Sequence, residues 1–322
     1  MNQQILVGAI PMVGESLHSL LRRIAAENML TGVGDILRAV GLSGVYPVMP
    51  GEVAALARMC RLPPDVVGAL CPGVPARDRA TQTSNRRVSY FGSRVPADQL
   101  HMGKWEKICP SCIRERGYVS GANAFKFMTV CPVHGRRLLD QCQSCEQPIN
   151  ALRRLTGRCD CGAELGGVET PEGSPGELRV AQVIRRAWLQ PFSPELPRLS
   201  TEAPGELLSL NIEDLLDVLS FLYRLEGATR QNSSSGASSM QIRHVAWRVD
   251  RIGHSLSNWP RAFHEQLART RTSLLPSSRW ERMNGAGSVS YRLFAELPGS
   301  QFSFLHRAYL GFIERRSRRS IR

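Results

Sequence analysis

The sequence predicts a mainly α-helical protein with small cysteine-clasped β-hairpin modules between an N-terminal helical region and a C-terminal helical domain. Three observations predict it. Stretches such as "LHSLLRRIAAE" and "NIEDLLDVLSFLYRLEG" repeat apolar residues at helical spacing on both sides of the middle of the chain. Seven of the nine cysteines crowd between Cys109 and Cys161. A Pro/Gly-rich stretch, "TPEGSPGE" at 170–177, then reads as a boundary. The expected divisions are a helical, helix-turn-helix-like region at 1–104, tandem metal-binding modules at 105–169, and a helical domain at 170–322.

At 322 residues the chain is too long for a disulfide-stapled miniature, and 42% hydrophobic residues suffice for a core divided over two or three domains. The opening "MNQQILVGAIPMVGES" has no basic region and no small-residue cleavage site, and Gly8 and Pro11 break its apolar run well short of a membrane span. A soluble cytoplasmic protein without a membrane partner is expected.

In the first region, "GESLHSLLRRIAAENML" sets Leu17, Leu20, Leu21 and Ile24 on one helical stripe, with Glu15 in the first turn and Gly32 past the end. Arg22 and Arg23 fall off that stripe. They are candidate nucleic-acid or partner contacts, the plainer reading being two solvated arginines on an amphipathic helix. "PGEVAALARMCRLPPDVVGAL" reads as two short helices joined by "RLPP", Pro64 opening the second. That is the outline of a helix-turn-helix unit with Pro63 to Leu70 as the recognition element, and equally of an α-hairpin that docks a partner. Cys60 and Cys71 read as buried packing residues.

In a reducing compartment the crowded cysteines point to metal rather than to disulfides. In order the candidates are Cys109, Cys112, Cys131, His134, Cys142, Cys145, Cys159 and Cys161, eight ligands. Structural zinc takes four Cys or His groups, and a two-residue gap forms a knuckle that turns both toward one ion. Eight ligands therefore imply two structural Zn²⁺ per chain. Sequential, cross-braced and nested pairings are all open; the gap of eighteen residues from Cys112 to Cys131 favours the sequential one. The last pair, "CDC", is irregular, with one residue where a knuckle has two. Catalytic zinc keeps an open position, whereas both sets here are filled by protein ligands. No His has Glu two residues on, as the deaminase signature needs, and in "HEQLA" Ala268 stands where a zincin has its second His. No catalytic residue and no enzymatic activity are expected.

Beyond the boundary, "LRVAQVIRRAWLQ" and "NIEDLLDVLSFLYRLEG" are helix-patterned, the second with Asn211 as cap, and "QNSSSGASSM" at 231–240 reads as a flexible loop. Charge is uneven: residues 231–322 hold fifteen basic and five acidic residues, against a net +13 for the whole chain. In "FLHRAYLGFIERRSRRSIR", Phe304, Leu305, Ala308, Tyr309, Phe312 and Ile313 form one apolar face before a basic tail. Arg315, Arg316, Arg318 and Arg319 are candidate phosphate contacts.

The residues now carry a family likeness. The opening "IPMVGESLHSLLRRIAAEN", the segment "ICPSCIRERGYVSGANAFKFMTVCPVHGRRLLDQCQSCEQPI" and the "CDCG" knuckle together resemble the TniQ family of transposition proteins, whose longer relatives are TnsD-type target selectors; the likeness spans about residues 8–168. Members often have a Trp between the first two knuckles, where this chain has Phe125 and Phe127. The resemblance implies a non-enzymatic adaptor of a bacterial transposon. It would link target DNA, or a targeting complex such as a CRISPR RNA-guided effector, to an AAA+ ATPase and the transposase, and a homodimer is plausible by analogy. The rivals are a self-sufficient, sequence-specific DNA-binding regulator with structural zinc sites, and a zinc hydrolase or nuclease, for which the local motifs offer neither an open metal position nor clustered carboxylates.

Overall fold

The computed structural model describes residues 7–42, 50–72, 87–101, 105–192, 203–227, 242–270 and 288–320. They fall into two compact units, Met1–Gly173 with Met240–Ile242, and Ser174–Ser239 with Arg243–Arg322.

The first unit opens with α1 (Leu17–Glu27), whose Leu17, Leu20, Leu21 and Ile24 are all buried, as their spacing requires. Ser16 caps it, its Oγ accepting from the Ser19 N–H at 3.2 Å. Glu15 therefore lies before the cap and not in the first turn. It is fully buried, accepting from the Met12 N–H, the Ser19 hydroxyl and Arg23. Next come α2 (Val33–Ala39), α3 (Pro50–Cys60) and α4 (Pro64–Leu70), with α3 packed on both neighbours. Pro64 stands at the first position of α4, where its missing N–H costs nothing. Cys60 and Cys71 are buried, and burial pushes both thiols up to about 12.

A β-hairpin follows: β1 (Arg87–Tyr90) pairs antiparallel with β2 (Ser93–Pro96), Val88 opposite Val95. Its two-residue turn has φ 50° at Phe91 and 79° at Gly92, both left-handed, as a twist-matched tight turn demands. The cysteine region carries one α-helix, α5 (Pro110–Arg116), and a 3-10 turn at Gly121–Ala124. A core of Ile108, Ile113, Val119, Leu139, Ile149 and Leu165 underlies it.

The division expected between residues 104 and 105 lies inside the first unit, and contacts run across it. Leu100 pairs with Phe125, and α1 is tied to Glu106. The second unit starts at Ser174.

In that unit α6 (Pro175–Leu189) begins with a full capping box between Ser174 and Glu177. The single turn α7 (Gly205–Leu208) leads to α8 (Ile212–Gly227), where Asn211 Oδ1 accepts from the Asp214 N–H at 2.8 Å. Then come α9 (Ile242–Ser257), α10 (Arg261–Arg269), α11 (Val289–Glu296) and α12 (Ser303–Ser320). Helices α6 and α9 cross backbone to backbone at two glycines: a Cβ on Gly253 would lie 2.0 Å from the Gly176 carbonyl oxygen. Of the apolar face on α12, Phe304, Leu305, Ala308 and Tyr309 are buried and Phe312 and Ile313 half-buried. The loop expected at 231–240 lies outside the described residues. Among the described residues, no helix is long and apolar enough to cross a membrane.

Candidate metal centres

The eight sulfur and imidazole groups gather in two clusters, in sequential order. Cys109, Cys112, Cys131 and His134 form one, Cys142, Cys145, Cys159 and Cys161 the other, with the ligand atoms of each within 4.8 Å of one another. Either cluster could hold a metal ion.

Three of the four ligand pairs sit on the same backbone device. Around Cys131 and His134 the bridge Val130–Arg137 closes a tight hairpin; Gln141–Pro148 does so around Cys142 and Cys145, and Arg158–Glu164 around Cys159 and Cys161. Inside each hairpin the residue after the second ligand is left-handed: Gly135 at φ 67°, Glu146 at 57° and Gly162 at 91°. Its N–H returns to the carbonyl of the first ligand residue at 2.9 Å in all three. In the first two hairpins that bond spans four residues, and in "CDC" it spans three. The irregular spacing is thus the same turn shortened by one residue, with both sulfurs still on its inner side.

The remaining pair departs from the expected hairpins. Cys109 is the N-cap of α5, Pro110 its first residue, and Cys112 lies one turn further on. Both sulfurs therefore sit at a helix N-terminus, where backbone N–H groups favour negative charge.

In the first cluster His134 Nδ1 lies 3.4, 3.4 and 3.3 Å from the sulfurs of Cys109, Cys112 and Cys131, and the Cys112 and Cys131 sulfurs are 3.6 Å apart. In the second, Cys142–Cys161 and Cys145–Cys159 are each 3.8 Å. A disulfide needs about 2.05 Å, so these are thiols, not bridges. Crowding makes them share protons. Cys131 is driven well below the ordinary thiol range by hydrogen bonds from Cys109 and Cys112, helped by the His134 and Val133 N–H groups, and Cys112 is pushed up in return. A cation would take the place of those protons.

The imidazole has a second partner that the sequence reading missed. His134 Nε2 donates to Glu115 Oε2 at 2.9 Å. Glu115 stands on α5 three residues after Cys112, so the helix that carries two ligands also orients a third. The helical spacing was the available signal.

The arginines of α1 correct the sequence reading. Arg22 is only 1% exposed; its Nη2 donates to both Glu106 oxygens at 3.0 and 2.8 Å and its Nη1 to the Ala151 carbonyl. Arg153, also 1% exposed, reaches the same carboxylate and donates to the Thr156 carbonyl at 3.0 Å. Arg22 is neither solvated nor available to a phosphate, because it neutralises a carboxylate that would otherwise be buried alone. Arg23 is held by both oxygens of Glu15 at 2.9 and 2.8 Å and is one-fifth exposed. On α12 the side chains of Arg315, Arg316 and Arg318 are exposed; that of Arg319 lies outside the described residues. Phe125 and Phe127 are fully buried, Phe125 edge-on to Tyr90, so they serve the core.

No curated protein matches the chain. The family model TniQ matches residues 7–138, from the apolar opening to just past the last ligand of the first cluster. That part of the chain is accordingly similar to the TniQ family.

Proposed function

We propose that the protein is a non-enzymatic adaptor carrying two structural Zn²⁺ ions, which links target DNA or an RNA-guided targeting complex to the AAA+ ATPase and transposase of its transposon. The observation that carries this reading is the closure of both clusters by four protein donors within 4.8 Å of one another. A tetrahedral zinc with Zn–S near 2.3 Å has sulfur–sulfur edges of about 3.8 Å, and the second cluster has that spacing. Soft thiolate donors with one imidazole suit zinc. When bound, zinc would supply four fixed bonds at each centre, joining the Cys131–His134 hairpin to α5 at the first and the two remaining hairpins to each other at the second; four protein donors leave no position at which it would activate water. The chain's own residues then do the work of positioning. Cys109 and Cys112 anchor α5, and the buried Glu106 cluster ties α1 to the metal modules. The exposed arginines of α12 and the α3–α4 pair are the surfaces offered to nucleic acid or to partners.

The test is co-elution of the zinc-loaded chain with the transposon's ATPase in the presence of ATP, run beside unbiased selection of DNA fragments at physiological salt. Co-elution without an enriched sequence is the expected result. An enriched sequence with no association would establish the autonomous DNA-binding regulator instead.

A further inference from the structure

In the second unit, α10 and α12 frame a cleft of about 320 Å³, lined among others by Trp259, His264, Phe304, Arg307, Gly311 and Arg315. We infer that this cleft binds one nucleotide of a nucleic-acid strand, its base stacked on Trp259 and its phosphates held by Arg307 and Arg315. The inference rests on the nucleic-acid side of the proposed function and gives it a location.

The floor is an aromatic platform. Trp259 stacks on Phe263 with ring centroids 4.8 Å apart at 20°, and Phe304 lies 5.5 Å away. Phe263 and Phe304 are buried, whereas Trp259 remains half-exposed. An indole fixed from below and open above is the arrangement on which a base stacks, whatever its sequence. The volume lies within the range of small-ligand clefts.

The walls are cationic. Arg307, Gly311 and Arg315 follow at four-residue spacing along α12 and so share one stripe, which Arg318 continues past the cleft. Histidine 264 holds Arg315 without adding charge: Nε2 donates to the Ala308 carbonyl at 2.8 Å, leaving Nδ1 to accept from Arg315 Nη2 at 2.7 Å. Burial lowers its pKa, which keeps the ring neutral. A planar guanidinium fixed in this way presents its remaining N–H groups as a fork to phosphate. Among the described residues that line the cleft, Glu206 is the one carboxylate, paired with Arg307 at 3.0 Å. Both side chains are more than half exposed, and such a pair is weak enough to open for a phosphate. Gly311 leaves room above the platform, since a Cβ there would meet only the Arg315 guanidinium, at 3.9 Å.

The experiment is fluorescence anisotropy of labelled oligo(dT) and oligo(rU) with the full-length zinc-loaded protein at physiological salt. Trp259→Ala should weaken binding roughly 5- to 100-fold, the span of single base–aromatic stacks. Because Trp259 also packs on Phe263, Gly311→Leu is the second variant: it fills the cleft, keeps every charge and adds a better helix former. It should cost a comparable factor with no fall in melting temperature. The tighter of the two probes identifies DNA or RNA as the source of the strand. Unchanged affinity in both variants, or no binding of either probe to the wild type, overturns the cleft. So does displacement by poly-glutamate as readily as by unlabelled oligonucleotide, which would make it an acidic-peptide site. Co-elution with the ATPase is read separately, so a failed cleft leaves the adaptor reading standing and a failed adaptor leaves the cleft.

Discussion

His134 turns one ring nitrogen to three sulfurs at 3.3–3.4 Å and the other to Glu115, 2.9 Å away. The carboxylate fixes the tautomer that leaves Nδ1 free to bind a cation and raises its basicity. Glu115→Gln is expected to weaken zinc at the first centre by roughly tenfold, the low end for such partners because the carboxylate is half-exposed. Competition with a chromophoric chelator reads both centres at once, and the second should not change. An equal loss at both, or no loss, would show this hydrogen bond to be idle.

Chelation should act on one unit. Both clusters lie in Met1–Gly173, where the hairpins that carry them have little other regular structure, whereas the described residues of Ser174–Ser239 with Arg243–Arg322 are mainly helical and include none of the eight candidate ligands. After removal of zinc with a strong chelator, limited proteolysis should degrade the first unit and leave a fragment beginning near Ser174. Simultaneous loss of both units would mean that the second depends on the metals as well.

What could be read from the sequence follows from the range of the interactions involved. The helices were legible because apolar spacing and caps are local, as at Ser16 and Asn211. The ligand grouping was legible because knuckles are local too, although their pairing became plain only in three dimensions. The β1–β2 hairpin was not legible. Its turn places a left-handed Phe91 where Asn or Gly is usual, and tertiary packing compensates: the ring lies so close to Gly121 that a Cβ there would come within 2.8 Å of it. Arg22 misled for the same reason, since its partner Glu106 is 84 residues away. The Gly176–Gly253 crossing likewise involves residues that only the folded chain brings together.

Glu106→Gln tests that long-range cluster. It removes the one carboxylate shared by two arginines, each 1% exposed, and breaking a buried pair in this way costs about 3–5 kcal/mol. Urea denaturation should show the loss. Arg22→Met should also destabilise, yet leave oligonucleotide affinity unchanged in whatever remains folded. A fall in affinity would return Arg22 to the nucleic-acid surface.

His18 makes the same cluster sensitive to acid. It is buried beside Glu106, Arg22 and Arg153, and its pKa is lowered to about 4, first by desolvation and then by the two arginines, with Glu106 opposing. In the unfolded chain it titrates near 6.5. The unfolded state therefore takes up its proton first as the pH falls, so the stability from keeping His18 neutral is whole above about 6.5 and is lost progressively down to about 4. Over that interval the loss amounts to about 3 kcal/mol. Acid also competes for the metal ligands, which is why the measurement is a difference. Urea midpoints of the wild type and of His18→Asn, taken at intervals from neutral pH to about 4.5, should converge as the pH falls, because only the wild type carries this proton-linked term. Parallel curves would mean that His18 does not change its protonation on folding, and that the acid sensitivity of the unit comes from other groups, such as Glu106 and the metal ligands.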